Sequence, residues 1–101
     1  FGSIQITNDF SVPLTIQSVR AKVTTAPTGA AAIVDVNVDG TTIFTTQANR
    51  PTIAIAGTDS GVVTNHEVVT IPAGSTLTVD VDQIGSGTAG AGLTVTVLCR
   101  S

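Results

Sequence analysis

The sequence predicts an all-β protein: an antiparallel two-sheet β-sandwich, jelly-roll-like, of about eight strands. Three observations carry this. The chain is 42% hydrophobic but only 3% aromatic, and it holds 18 threonines. Its interior must therefore be Val, Ile, Leu and Ala, and β-branched residues suit a pleated surface best. Apolar and polar residues alternate with period two in short runs, and no run shows the helical period. Gly and Pro separate the runs at spacings of roughly ten residues, as in sandwiches. With one Cys and no Trp there is no Cys…Trp…Cys pattern, which favours the jelly roll over an immunoglobulin topology.

The elements follow in order. Residues 1–10 alternate weakly, with Ile4 and Ile6 on one face, and read as an edge strand or a connection from a preceding segment, ending at Asn8-Asp9. In 13–24 the phase changes. Leu14 and Ile16 share one face, and Val19, Ala21 and Val23 fall on the other, so burying both sets requires a β-bulge near Gln17 and Ser18. Arg20 and Lys22 then point outward. Residues 25–29 form a loop around Pro27 and Gly29.

The hairpin at 34–46 organises the centre. Val34, Val36 and Val38 alternate with Asp35, Asn37 and Asp39, which places the valines inward. The turn at 37–40 reads as type I followed by a Gly40 bulge, pairing Asn37 with Thr41 and Val34 with Phe44. A two-residue Asp39-Gly40 turn would set Asp35 opposite Phe44, a poorer match. Residues 47–51 form a loop leading to a strand at 52–56, and 57–65 read as a mobile surface loop. A strand at 66–71, a turn at Pro72-Ala73-Gly74 and a strand carrying Leu77, Val79 and Val81 follow. The glycine-rich run 85–92 reads as a flexible connection. The last strand turns Leu93, Val95, Val97 and Cys99 inward and Thr94, Thr96, Leu98 and Arg100 outward.

At 101 residues the chain is a single domain, with 1–12 as the N-terminal strand or connection and 13–101 as the sandwich. It begins at Phe1 and reads as a piece of something longer. Four Lys and Arg against seven Asp and Glu give a net charge of -3, which lacks the basic footprint that nucleic acid requires. No apolar run approaches the roughly 20 residues of a membrane-spanning helix, so membrane insertion is not expected. Cys99, the single cysteine, excludes an internal disulfide and reads as a small buried hydrophobe. A surface of Thr, Ser, Ala, Gly and Asn with 11% charged residues suits packing against copies of itself or solvation by hydroxyls.

No catalytic constellation stands out, and the expectation is a non-enzyme without cofactor or metal. His66 and Glu67 are the one His beside a carboxylate, but neighbours on a strand point to opposite faces, which leaves His66 as a surface or subunit-contact residue. Asp35, Asp39, Asp80 and Asp82 could gather on one outer face, yet they have no calcium-loop spacing. They read as solvated strand and turn residues. Gly85 to Gly92 matches neither a P-loop nor a dinucleotide fingerprint. Lacking Trp and Tyr, the chain has no stacking platform for sugars. Any glycan would be held by polar contacts in a groove, and Asn49, Arg50, Asp59 and His66 are the candidate ligand or partner contacts.

Several ordered motifs add a resemblance. Val19-Arg-Ala-Lys-Val23, Thr25-Ala-Pro-Thr-Gly29, Val34-Asp-Val-Asn-Val-Asp-Gly-Thr-Thr-Ile-Phe-Thr-Thr46, Asn49-Arg-Pro-Thr-Ile53, Leu77-Thr-Val-Asp-Val-Asp-Gln-Ile-Gly85 and Gly92-Leu-Thr-Val-Thr-Val97 together resemble a module of tailed-phage tail fibre, baseplate and minor tail structural proteins. The resemblance covers roughly residues 13–98 and is weakest over 58–70. It implies a jelly-roll-like homotrimer on the exterior of a bacteriophage virion, associated with other virion proteins, that mediates host attachment by binding a surface receptor, a glycan above all. Two other functions fit the same residues: a capsid decoration or head-fibre protein without a receptor, and a non-catalytic binding module of a secreted protein.

Overall fold

The computed structural model describes residues 3–100. Eight strands and one 3-10 turn make up the fold, with no α-helix among the described residues. They are β1 (Ser3–Thr7), β2 (Leu14–Lys22), β3 (Ala32–Val38), β4 (Thr41–Thr42), β5 (Thr52–Ile53), β6 (Thr70–Ile71), β7 (Thr76–Gln83) and β8 (Thr94–Arg100), with the 3-10 turn at Gln47–Asn49 between β4 and β5. The larger sheet runs β1-β7-β3-β4, and β5 also pairs with β3. The smaller one runs β6-β2-β8. Every pairing is antiparallel. The sheets share one core, formed by Val34, Val36, Ile43, Phe44, Ile53, Leu77 and Val79 from the larger and Ile16, Val19, Ala21 and Ile71 from the smaller. A two-sheet all-β fold is thus what the alternation predicts. Of the N-terminal strand predicted from Phe1, the first two residues lie outside the described ones.

The bulge in β2 is where the phase change requires it. Ile16 pairs with Cys99 and Ser18 with Leu98, so the ladder passes over Gln17. The extra residue turns Ile16, Val19 and Ala21 all inward, and each is buried. A second bulge was not expected from the sequence. Ile33 pairs with Gln83 but Val34 with Val81, and Asp82, passed over, turns its carboxylate to the edge.

The β3–β4 turn differs from the expected type I turn with a Gly40 bulge. Asn37 pairs with Thr42 and Val38 with Thr41, leaving a two-residue turn in which Asp39 (φ 51) and Gly40 (φ 84) are both left-handed. This is the signature of type I′, whose twist matches that of the strands. The poor match of Asp35 with Phe44 never arises, because the ladder stops after Thr42. The Thr42 hydroxyl donates to Asp35 Oδ1 (2.6 Å) and accepts from the Phe44 amide (3.0 Å). The chain bends there, and Ile43 and Phe44 enter the core, both 0% exposed. The turn itself is tied to β7 by the Asp39 amide donating to Thr76 O (2.9 Å) and the Thr76 amide donating to Asp39 Oδ1 (3.0 Å).

Four segments predicted to be loops or regular strands are something else. The expected mobile loop 57–65 lies along β2: Lys22 bridges to Asp59 and Val19 to Val63, Ser60 and Val63 exchange bonds with Ala21 and Val19, and Arg20 pairs with Asp59. The strand predicted for 66–71 is reduced to Thr70–Ile71, and the one for 52–56 to Thr52–Ile53. The glycine-rich run 85–92 is not a free connection. Thr28 donates to Thr88 O and accepts from the Gly87 amide, both at 2.9 Å, and Thr25 bridges Ala91. Gly85 is packed so closely that a Cβ would collide with the Thr88 carbonyl and press on Pro27. Glycine is required there by space rather than by φ.

The two long edges of the sandwich are unlike. On one, the larger sheet's border at Ile43 is joined to the smaller sheet's border, since the amides of Glu67 and Val68 both donate to Ile43 O at 2.9 and 3.2 Å. On the other, β1 and β8 end their sheets, and no strand lies beyond them among the described residues. The larger sheet is also one strand wider, and β1 overhangs. Ile4 and Ile6 pair with Val79 and Leu77, both buried, so they share the core face of that sheet. Yet they are 65% and 54% exposed.

Candidate functional site

The four candidate contact residues do not form one site. Asn49 and Arg50 lie at the joined edge: Asn49 donates to Asn65 O (3.3 Å), and Arg50 donates to Gln47 O (2.8 Å) and pairs with Asp82 (2.8 Å). Asp59 is on the smaller sheet, held by both nitrogens of the Arg20 fork and by the Gly61 amide. These contacts, the Arg20 hydrogen bond first, hold its carboxyl well below the ordinary 3.8.

His66 corrects its expected placement on the surface. It is buried at 7% exposure, its Nε2 lies 2.8 Å from Ile16 O, and its ring meets Phe44 edge-on at 6.2 Å. A carbonyl accepts, so Nε2 carries the proton, and Nδ1 is a buried acceptor with no partner among the described residues. The Ile16 amide donates to Val69 O (2.6 Å), so both backbone polar groups of Ile16 face the 66–69 segment rather than β8. His66 is a structural bolt between β2 and Phe44. Glu67 faces the other way, as expected, and accepts from the Thr46 amide (3.0 Å). The Thr46 hydroxyl above all keeps its carboxyl below the ordinary range.

Of the four aspartates, pairing brings Asp35 and Asp80 face to face, but Asp35 is buried rather than solvated, at 7% exposure. It accepts from Thr42 and from the Val36 amide (2.8 Å), while Asp80 accepts from Asn37 (2.6 Å). Asp39 and Asp82 are committed to the turn and to Arg50. Each carboxylate thus has a protein partner. Among the described residues no group of three His, Cys, Asp or Glu is placed to hold a metal ion.

An apolar concavity opens at the β1–β8 edge, and another of about 570 Å³ adjoins it along Phe10, Val12 and Leu98. The first encloses about 430 Å³. Leu77 and Val79 of β7 and Ile6 of β1 form one wall, and Val95, Val97 and Cys99 of β8 the other, with Phe10 and Asn8 at one end. It is apolar because every second residue of these strands is. Val95, Val97 and Cys99 point inward, as the alternation predicts, but remain half-buried since nothing closes the gap. Burial raises the Cys99 thiol pKa. Around the mouth stand Phe10 (67% exposed), Val12 and Leu98. Asn8 fixes that end: its side-chain amide reaches the carbonyls of Val12, Ile71 and Pro72, and its Oδ1 accepts from the Phe10 amide. No sequence motif marked this cleft. The available signal was Leu98, which interrupts the outward Thr94, Thr96 series, together with the absence of charge in β1.

Compared with protein-family models, with curated proteins and with solved structures, the chain matches none.

Proposed function

We propose that the chain is a virion structural domain of a tailed phage, a jelly-roll-like tail fibre or baseplate module that acts in host attachment as a homotrimer. The observation that carries this reading is the ordered motif set from Val19 to Val97. Those motifs reach into the framework of the fold: β4 and β5 lie within them, and β2, β3, β7 and β8 overlap them. The polar groups support a scaffold too, since Asp35, Asp59, Asp80, Asp82, His66 and the guanidinium groups of Arg20 and Arg50 are spent on holding the chain together. Of the candidate contacts, Asn49 and Arg50 remain on the exterior beside the joined edge, where a subunit neighbour or a host glycan can reach them. His66 takes no part in contact.

The test is adsorption. Displayed on particles, the domain is expected to bind host cells, and Arg50→Ala weakens that binding, whereas Arg20→Ala, on the other sheet, leaves it unchanged. Light scattering at micromolar concentration is expected to give three times the chain mass. A monomer that fails to bind any host surface or glycan array would remove the reading.

A further inference from the structure

The open edge can be read independently of the virion assignment. Three features coincide there. The smaller sheet is three strands wide against four positions in the larger, so one strand spacing of about 4.8 Å beneath β1 has no covering strand. β8 presents a free edge seven residues long with no Pro, no bulge beyond Ile16–Ser18 on its other side, and no charge except the terminal Arg100. Natural edge strands are normally guarded by such devices. The cleft between the walls is apolar, and the exposed Ile4, Ile6, Phe10, Val12 and Leu98 extend it.

We propose that this cleft receives one extended strand of another polypeptide, laid antiparallel along the free edge of β8 and under β1. Main-chain bonds to β8 supply affinity and alternate apolar side chains, set between Ile6 and Val97, supply selectivity. Charge fixes the occupant's chemistry. The lining of the cleft carries no charge, and Arg100, which has no ion pair among the described residues, stands at the end beside Phe10 and Val12. An antiparallel strand brings its amino-terminal end to Arg100. The partner segment is therefore about seven residues long, apolar at every second position, uncharged between, with one carboxylate at its amino-terminal end. A lipid or other small apolar molecule would fill the cleft but leave the β8 edge unpaired.

The experiment uses the whole chain and a carboxyl-terminally labelled peptide, Asp-Val-Thr-Val-Thr-Val-Thr. Fluorescence anisotropy is expected to show saturable binding at micromolar concentrations, and amide exchange across β8 to slow at least tenfold. Replacing the aspartate by lysine weakens binding at least fivefold, and methylating alternate amide nitrogens abolishes it. Ile6→Glu in the protein, at an exposed position that folding tolerates, weakens binding at least tenfold. The proposal is overturned by equal binding of the methylated peptide, by no binding up to millimolar concentration, or by displacement with decanoate at equal affinity. It is overturned as well if β8 amides are already protected in a concentration-dependent dimer, which would make a second copy the occupant.

Discussion

The two edges of this sandwich are built from similar residues and end in opposite states. At the joined edge β4 stops after two residues, Ile43 and Phe44 turn in, and Glu67 and Val68 bond back to Ile43, so the main chain itself closes the gap between sheets. At the open edge β1 and β8 are long and regular, and their apolar side chains look across a cleft without being covered. Regularity is the difference. A strand that keeps its ladder stays in its own sheet. One that breaks it, as the chain does at Thr42, can send a carbonyl and side chains across to the other.

The largest test of that contrast is truncation at the joined edge. Phe44→Ala removes the largest fully buried side chain and should cost about 4 kcal/mol in denaturant unfolding. That is a large share of the ~5–15 kcal/mol available to a domain of this kind. His66→Ala removes the bond to Ile16 O and the edge-on contact with Phe44 and should cost about 2 kcal/mol. A loss below about 0.5 kcal/mol would show that the joint does not hold the sheets. By contrast Ile4→Ala, at 65% exposure, should change the unfolding midpoint by less than about 0.5 kcal/mol. Gly40→Ala is intermediate. A Cβ there meets nothing within 4 Å, so its cost, about 1 kcal/mol, is that of φ 84 alone.

The smallest effect is with pH. Asp59 and Glu67, both beside the joined edge, have carboxyl pKa values lowered by Arg20 and by Thr46 respectively. Each therefore contributes stability above its unfolded value, near pH 4, that is lost as pH falls toward its folded value. Amide exchange over 57–68 should accelerate below pH 4 while β1 is unaffected, and Asp59→Asn should remove part of that acceleration. Equal acceleration at both edges would break the contrast.

How much of this was legible in the sequence follows the same division. The period-two pattern identified β1, β2, β3, β7 and β8, their inward valines and the Gln17 bulge, because a ladder repeats and a break in phase is visible. The joined edge was not legible. Residues 57–69 make single bridges and isolated hydrogen bonds to β2, which impose no period, so the segment looked like a loop and His66 like a surface residue. The turn departs from expectation for a related reason: a type I turn is the better match only if β4 continues to Phe44, whereas Asp35 and Thr42 end it. In the glycine-rich run 85–92 composition suggested freedom where close packing against 25–28 was the cause.

The central claim is that β8 borders an open cleft while the core behind Phe44 is sealed, and thiol accessibility reports on it directly. Cys99 lies on the inward face of β8, and a second cysteine can be introduced as Val36→Cys in a Cys99→Ser background. Native Cys99 should react with a small aromatic disulfide at a rate that does not change with low denaturant, rising with pH as its elevated thiol pKa is approached. The residue-36 thiol should react at least a hundredfold more slowly and only through global unfolding. If Cys99 too reacts only as fast as the whole protein unfolds, the β1–β8 edge is closed and the account fails.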